Sequence, residues 1–123
     1  MKITPLAALF SAVLLASPAL VAQTITIDSV PPYGTPGYMR GTVTGVNFAT
    51  HQVAAYIGIE GGGTWSKPNV VNRTVPINPD GTFIAQVYGC CLDARATLYT
   101  AALLPNGVTP PLAAGNVCSQ SGC

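Results

Sequence analysis

Gln52-Val53-Ala54-Ala55-Tyr56-Ile57-Gly58-Ile59-Glu60 is the stretch on which the fold turns. Val53, Ala55, Ile57 and Ile59 recur at every second position, with Ala54, Tyr56, Gly58 and Glu60 between them. A period of two belongs to a β-strand, whose successive side chains point to opposite faces. An amphipathic helix would space its apolar residues three and four apart. The stretch therefore predicts a strand over residues 52–59, with Tyr56 on the face opposite Val53, Ala55 and Ile57.

The same pattern continues on both sides. Residues 24–28 alternate polar and apolar, and residues 39–46 read as a second strand with Gly41 and Gly45 as candidate bulges. Residues 70–75 predict an irregular strand. Residues 82–88 alternate, with Phe83, Ala85 and Val87 on one face and Tyr88 on the other. Residues 96–104 close the series. The stretch from Asp93 to Leu104 is the one place where a helix competes, and Thr97, Tyr99 and Thr100 favour the strand. Between these runs stand three prolines in residues 31–37, the triple glycine Gly61-Gly62-Gly63, the turn signal Asn78-Pro79-Asp80-Gly81, and Pro105-Asn106-Gly107. About seven short strands at this spacing predict an all-β chain, an immunoglobulin-like antiparallel β-sandwich, with an antiparallel barrel as the alternative.

Residues 1–22 stand apart. Lys2 precedes an apolar run from Leu6 to Leu15, then Ser17-Pro18 and small residues. This is the layout of a secretory signal peptide, with too short an apolar run for a transmembrane helix. Cleavage is expected after Ala22, with Ala19 as the competing position. The expected organisation is a signal peptide at 1–22, a β-sandwich domain at 23–112 and a cysteine-containing tail at 113–123. Secretion is the expected localisation.

Charge is scarce. Of 123 residues, 7% are charged, where soluble proteins average about 25%. Beyond residue 22, Arg40, Lys67, Arg73 and Arg95 balance Asp28, Glu60, Asp80 and Asp93. Without a basic cluster to neutralise phosphates, nucleic acid is not an expected partner. With 49% hydrophobic residues, a charge-rich disordered chain is not expected either.

The four cysteines are Cys90, Cys91, Cys118 and Cys123. An even count in a small exported chain predicts disulfides. A bond between the neighbours Cys90 and Cys91 would close a strained ring. Both remaining pairings tie that pair to the tail, and they stay open alternatives. Zinc and dithiol redox chemistry lack their usual C-x-x-C spacing, and no metal or cofactor is expected. Asn72-Arg73-Thr74 matches the N-glycosylation sequon, which makes Asn72 a candidate glycan site if the host is a eukaryote.

Several elements in order resemble a known module. They are Ser29-Val30-Pro31-Pro32-Tyr33-Gly34, Arg40-Gly41-Thr42-Val43, Val53-Ala54-Ala55-Tyr56-Ile57, Trp65-Ser66-Lys67-Pro68, Asp80-Gly81-Thr82-Phe83, Asp93, Ala96-Thr97 and Leu103-Leu104-Pro105. Their order resembles a small β-rich accessory module of secreted, carbohydrate-associated microbial proteins, over most of residues 25–111. Two positions depart from that pattern. Thr64 stands where the module has the first of two tryptophans, and Cys90-Cys91 replace a Gly-Gly pair. The added cysteine tail implies a stand-alone secreted form.

No complete catalytic constellation is visible. His51 is the sole histidine, no serine sits in a nucleophile elbow, and the carboxylates are scattered. The expected function is a non-catalytic extracellular binding module, with a polysaccharide or cell-surface glycan favoured as partner. Sugar rings stack on exposed aromatic faces and hydrogen-bond without net charge. Trp65 beside Lys67 is the first candidate, and Tyr56 and Tyr88 are expected to share one sheet face as a platform. The alternative is a small secreted interaction or effector-like protein that binds another extracellular protein.

Overall fold

The computed structural model describes residues 22–89 and 92–115. The signal-peptide expectation falls almost wholly outside these residues, and all four cysteines fall outside them. The strands are β1 (Thr24–Ser29), β2 (Tyr38–Thr44), β3 (His51–Ile59), β4 (Gly63–Lys67), β5 (Thr74–Pro76), β6 (Thr82–Gln86) and β7 (Ala96–Pro105). A 3-10 turn, Asp93–Arg95, leads into β7.

The strands form two antiparallel sheets. One has the order β1-β2-β6. In the other, β3 is central, β7 runs along one side of it, and β4 and β5 share the other side. Alternation on β3 works as its sequence requires. Val53, Ala55, Ile57 and Ile59 face the core, where they meet Met39 and Val43 of β2 and Phe83 and Ala85 of β6. Burying a side chain such as Phe83 or Ile57 contributes about 1.5–3 kcal/mol. The architecture is all-β and sandwich-like.

Three local features differ from expectation, each for a physical reason. The bulge near Gly41 lies on β1, where the register slips between Ile27 and Ser29. Gly41 itself pairs regularly with Phe83, whose ring fills the space beside it. A Cβ at Gly41 would lie 2.3 Å from Phe83 Cζ and 2.3 Å from the Thr26 carbonyl oxygen. Residues 70–73 are not a strand, because Asn69 Oδ1 accepts from the amides of Val71 (2.9 Å) and Asn72 (2.7 Å). That side-chain turn competes with a ladder, and the strand starts only at Thr74. The Asp80-Gly81 turn joins β5 to β6, which belong to different sheets, so it is a crossing between sheets rather than a hairpin.

After β7 the chain folds back across the outer side of the β3 sheet. Gln52 Nε2 donates to the Val108 carbonyl (2.9 Å) and the Pro105 carbonyl (3.2 Å). The Tyr56 hydroxyl donates to the Pro111 carbonyl (2.7 Å), and Arg73 to the Pro110 carbonyl (3.0 Å). Further along, Ser66 N donates to the Ala113 carbonyl (2.7 Å), and Ala114 bridges Trp65. Residues 108–114 thus form a strap that ends on the free edge of β4.

Candidate functional site

The side chains singled out in the sequence lie in different surroundings. Trp65 is buried, with 8% of its surface exposed, and belongs to the core cluster. Its Nε1 donates to the Gly62 carbonyl (2.8 Å), which satisfies its one polar atom. The strap closes over the ring: a Cβ on Gly115 would fall 2.2 Å from the indole, so only glycine permits that approach. The indole offers no open face to a sugar ring.

Lys67 is buried as well. Its Nζ pairs with Asp93 Oδ2 across 26 residues of sequence, and both side chains are shielded from solvent. The 3-10 turn brings Asp93 to this position, next to the end of β4. Two ions taken out of water are tolerated because they meet each other. Among the described residues no buried side-chain polar atom lacks a hydrogen-bond partner. Lys67 is a structural cation here and does not reach a surface ligand.

Tyr56 does point away from the core, as its alternation requires, but it is half-buried and the strap takes its hydroxyl. Tyr88 follows β6 in the other sheet. Tyr56 and Tyr88 therefore do not share a sheet face, and the platform expected from them does not form.

A different aromatic pair forms. Tyr38 and Tyr88 meet edge to face, with centroids 5.8 Å apart and planes at 84°. The Arg40 guanidinium carbon lies 6.0 Å from the Tyr38 ring centroid. Hydrogen bonding to Tyr38, and then its charge, raise the Tyr88 hydroxyl above the usual phenol value. Tyr38 is 42% exposed, since β2 turns Met39 inward and Tyr38 and Arg40 outward. Beside this cluster is a hollow lined by Asp28, Arg40, Asn78, Thr82 and Ile84. Asp28 Oδ2 accepts from Thr42 Oγ1 (2.6 Å) on the same outer face. Ring surface, a cationic donor, a carboxylate acceptor and hydroxyls thus adjoin one another on the β1-β2-β6 sheet.

Neither Tyr38 nor Arg40 was among the ligand candidates that the sequence singled out. The available signal was the alternation of Tyr38, Arg40 and Thr42 around the inward Met39 and Val43. The remaining polar candidates serve local structure. His51 Nδ1 lies near the Asn47 carbonyl (3.1 Å) and Thr50 Oγ1 (3.0 Å), within one turn. Asp80 Oδ1 accepts from Thr82 N (3.0 Å) and Thr82 Oγ1 (2.6 Å). Asn72 is exposed. Among the described residues no group of three or more His, Cys, Asp or Glu side chains is placed to hold a metal ion.

Compared with models of protein families, with curated proteins and with solved structures, the chain matches none.

Proposed function

We propose that this chain is a secreted, non-catalytic extracellular binding module, that its ligand is a carbohydrate, and that the sugar binds on the outer face of the β1-β2-β6 sheet. The observation that carries this reading is the pair of exposed Tyr38 and half-buried Tyr88 with Arg40 over Tyr38, beside the hollow that Asp28 helps to line. A sugar ring stacks on an aromatic face, and its neighbouring hydroxyls need both donors and acceptors. Arg40 supplies donors in a planar fork, and Asp28 supplies acceptors. The rings are already held by one another and by Arg40, so less side-chain entropy is lost on binding.

The fold that presents this face is proposed to be an immunoglobulin-like sandwich, in which two disulfides join Cys90 and Cys91 to Cys118 and Cys123. The resemblance to carbohydrate-associated accessory modules favours the same ligand class. The second reading, a protein-interaction role, is favoured by the uncharged outer edge of β7, with which no strand pairs among the described residues.

A glycan array or polysaccharide pull-down with the exported chain tests the proposal. The wild type is expected to retain at least one polysaccharide. Tyr38→Ala and Arg40→Ala are each expected to weaken retention about tenfold or more, equivalent to about 1.4 kcal/mol. Tyr56→Phe is expected to bind like the wild type. Absence of binding to every polysaccharide, or binding indifferent to Tyr38 and Arg40, overturns it.

A further inference from the structure

We infer that β7 is a homodimerisation edge, at which a second copy of this chain adds its own β7 antiparallel and joins the two β3 sheets into one. This inference is independent of the glycan reading. β7 is the longest strand, with 10 residues, and it hydrogen-bonds along one side to β3. Among the described residues no other strand pairs with its second side. β1 of the opposite sheet packs nearby, but its ladder is made to β2. A strand edge of this length leaves a row of amide and carbonyl groups ready to template another strand.

Other edges are blocked or short. The outer edge of β4 is taken by Ala113 and Ala114. β1 carries Asp28 and a register slip. β5 has three residues and ends in Pro76, and β6 has five residues. β7 carries neither charge nor glycine, and its one proline is the terminal Pro105. Natural edges are normally blunted by charge, proline or bulges; β7 has a register slip at Thr97, opposite Gly58 and Ile59 of β3, and none of these devices over residues 98–104.

Packing points the same way. Val53, Ala55 and Ile57 on β3 are fully buried, whereas their register partners Leu103, Ala101 and Tyr99 on β7 are only partly buried. On the outer side, Leu98 is 61% exposed. Both faces of the sheet thus lose cover at β7, as they would where a neighbouring strand is missing. An antiparallel copy of β7 about a two-fold axis supplies that neighbour to both chains at once, as an isologous contact requires. The absence of charge on β7 means that two copies meet without repulsion, which favours a second copy over a charged peptide as occupant.

Sedimentation equilibrium of the exported chain across a wide concentration range tests this. A concentration-dependent dimer is expected. Leu98→Lys/Thr100→Lys places charges on exposed positions of the edge and is expected to abolish the dimer, with an unchanged circular dichroism spectrum. Thr26→Lys, on the outer side of β1, is expected to dimerise like the wild type. Amide exchange in the wild-type chain gives a second readout that needs no variant: residues 97–103 are expected to exchange more slowly as concentration rises. A monomer at every concentration, as expected if the edge serves a different protein, overturns the inference. So does a dimer that survives the double substitution or exchange rates independent of concentration.

Discussion

Lys67 and Asp93 illustrate what individual residues contribute. Neither is near the other in sequence, and each sits beside an ordinary turn feature, Lys67 before Pro68 and Asp93 before β7. Their ion pair exists because the 3-10 turn and the end of β4 converge, which no local pattern announces. Removing one partner of a buried pair leaves the other charge without its counterion, at a cost of about 3–5 kcal/mol. Lys67→Met is accordingly expected to lower the stability of the chain by about that amount, read as the shift in a urea unfolding transition. A change under about 1 kcal/mol would mean that the pair is solvated or dispensable. Tyr56 gives the complementary lesson. Its outward direction was legible from alternation with Val53, Ala55 and Ile57. Its cover was not, because the Pro111 carbonyl that receives its hydroxyl comes 55 residues later.

At the scale of elements, β3 and β6 were readable because each repeats a two-residue period over several positions, and β7 because Thr97, Tyr99 and Thr100 favour a strand in an otherwise apolar run. β4 was missed: Thr64-Trp65-Ser66 is short, and its pairing depends on Ile57 and Tyr56 on one side and on the strap on the other. Residues 70–75 had strand composition, yet the Asn69 side chain gathers the local amides into a turn. The crossing from β5 to β6 depends on a similar device. Hydrogen bonds from the Thr82 hydroxyl and amide hold the Asp80 carboxyl below its ordinary value of 3.8. A carboxyl depressed in the folded state stabilises the fold above its unfolded pKa, and that contribution disappears as pH falls through its folded value. Asp80→Asn keeps an acceptor for Thr82 but does not titrate. It is expected to flatten the loss of stability on acidification below the ordinary carboxylate range, followed by thermal unfolding at stepped pH. Identical acid profiles for the two chains would show that the turn does not depend on this charge.

For the whole molecule, scarce charge acquires a definite distribution. One cation is consumed inside the fold by Asp93, and Arg73 bonds the strap at the Pro110 carbonyl. Arg40 instead lies over an exposed aromatic ring, facing outward beside Asp28. The all-β class was legible from periodicity and turn residues, whereas the choice of binding face was not. That choice depends on which sheet the strap covers, and so on where residues 108–114 return. The strap crosses the β3 sheet over Gln52 and Tyr56 and leaves the β1-β2-β6 face open, which moves the proposed sugar platform from Trp65 and Tyr56 to Tyr38, Tyr88 and Arg40. The most direct test is an amide chemical-shift titration of the isotopically labelled chain with oligosaccharides from a retained polysaccharide. Shifts are expected to cluster at residues 38–42 and 82–88. Shifts confined to β3, β4 or the strap, or none at saturating oligosaccharide, would contradict the account.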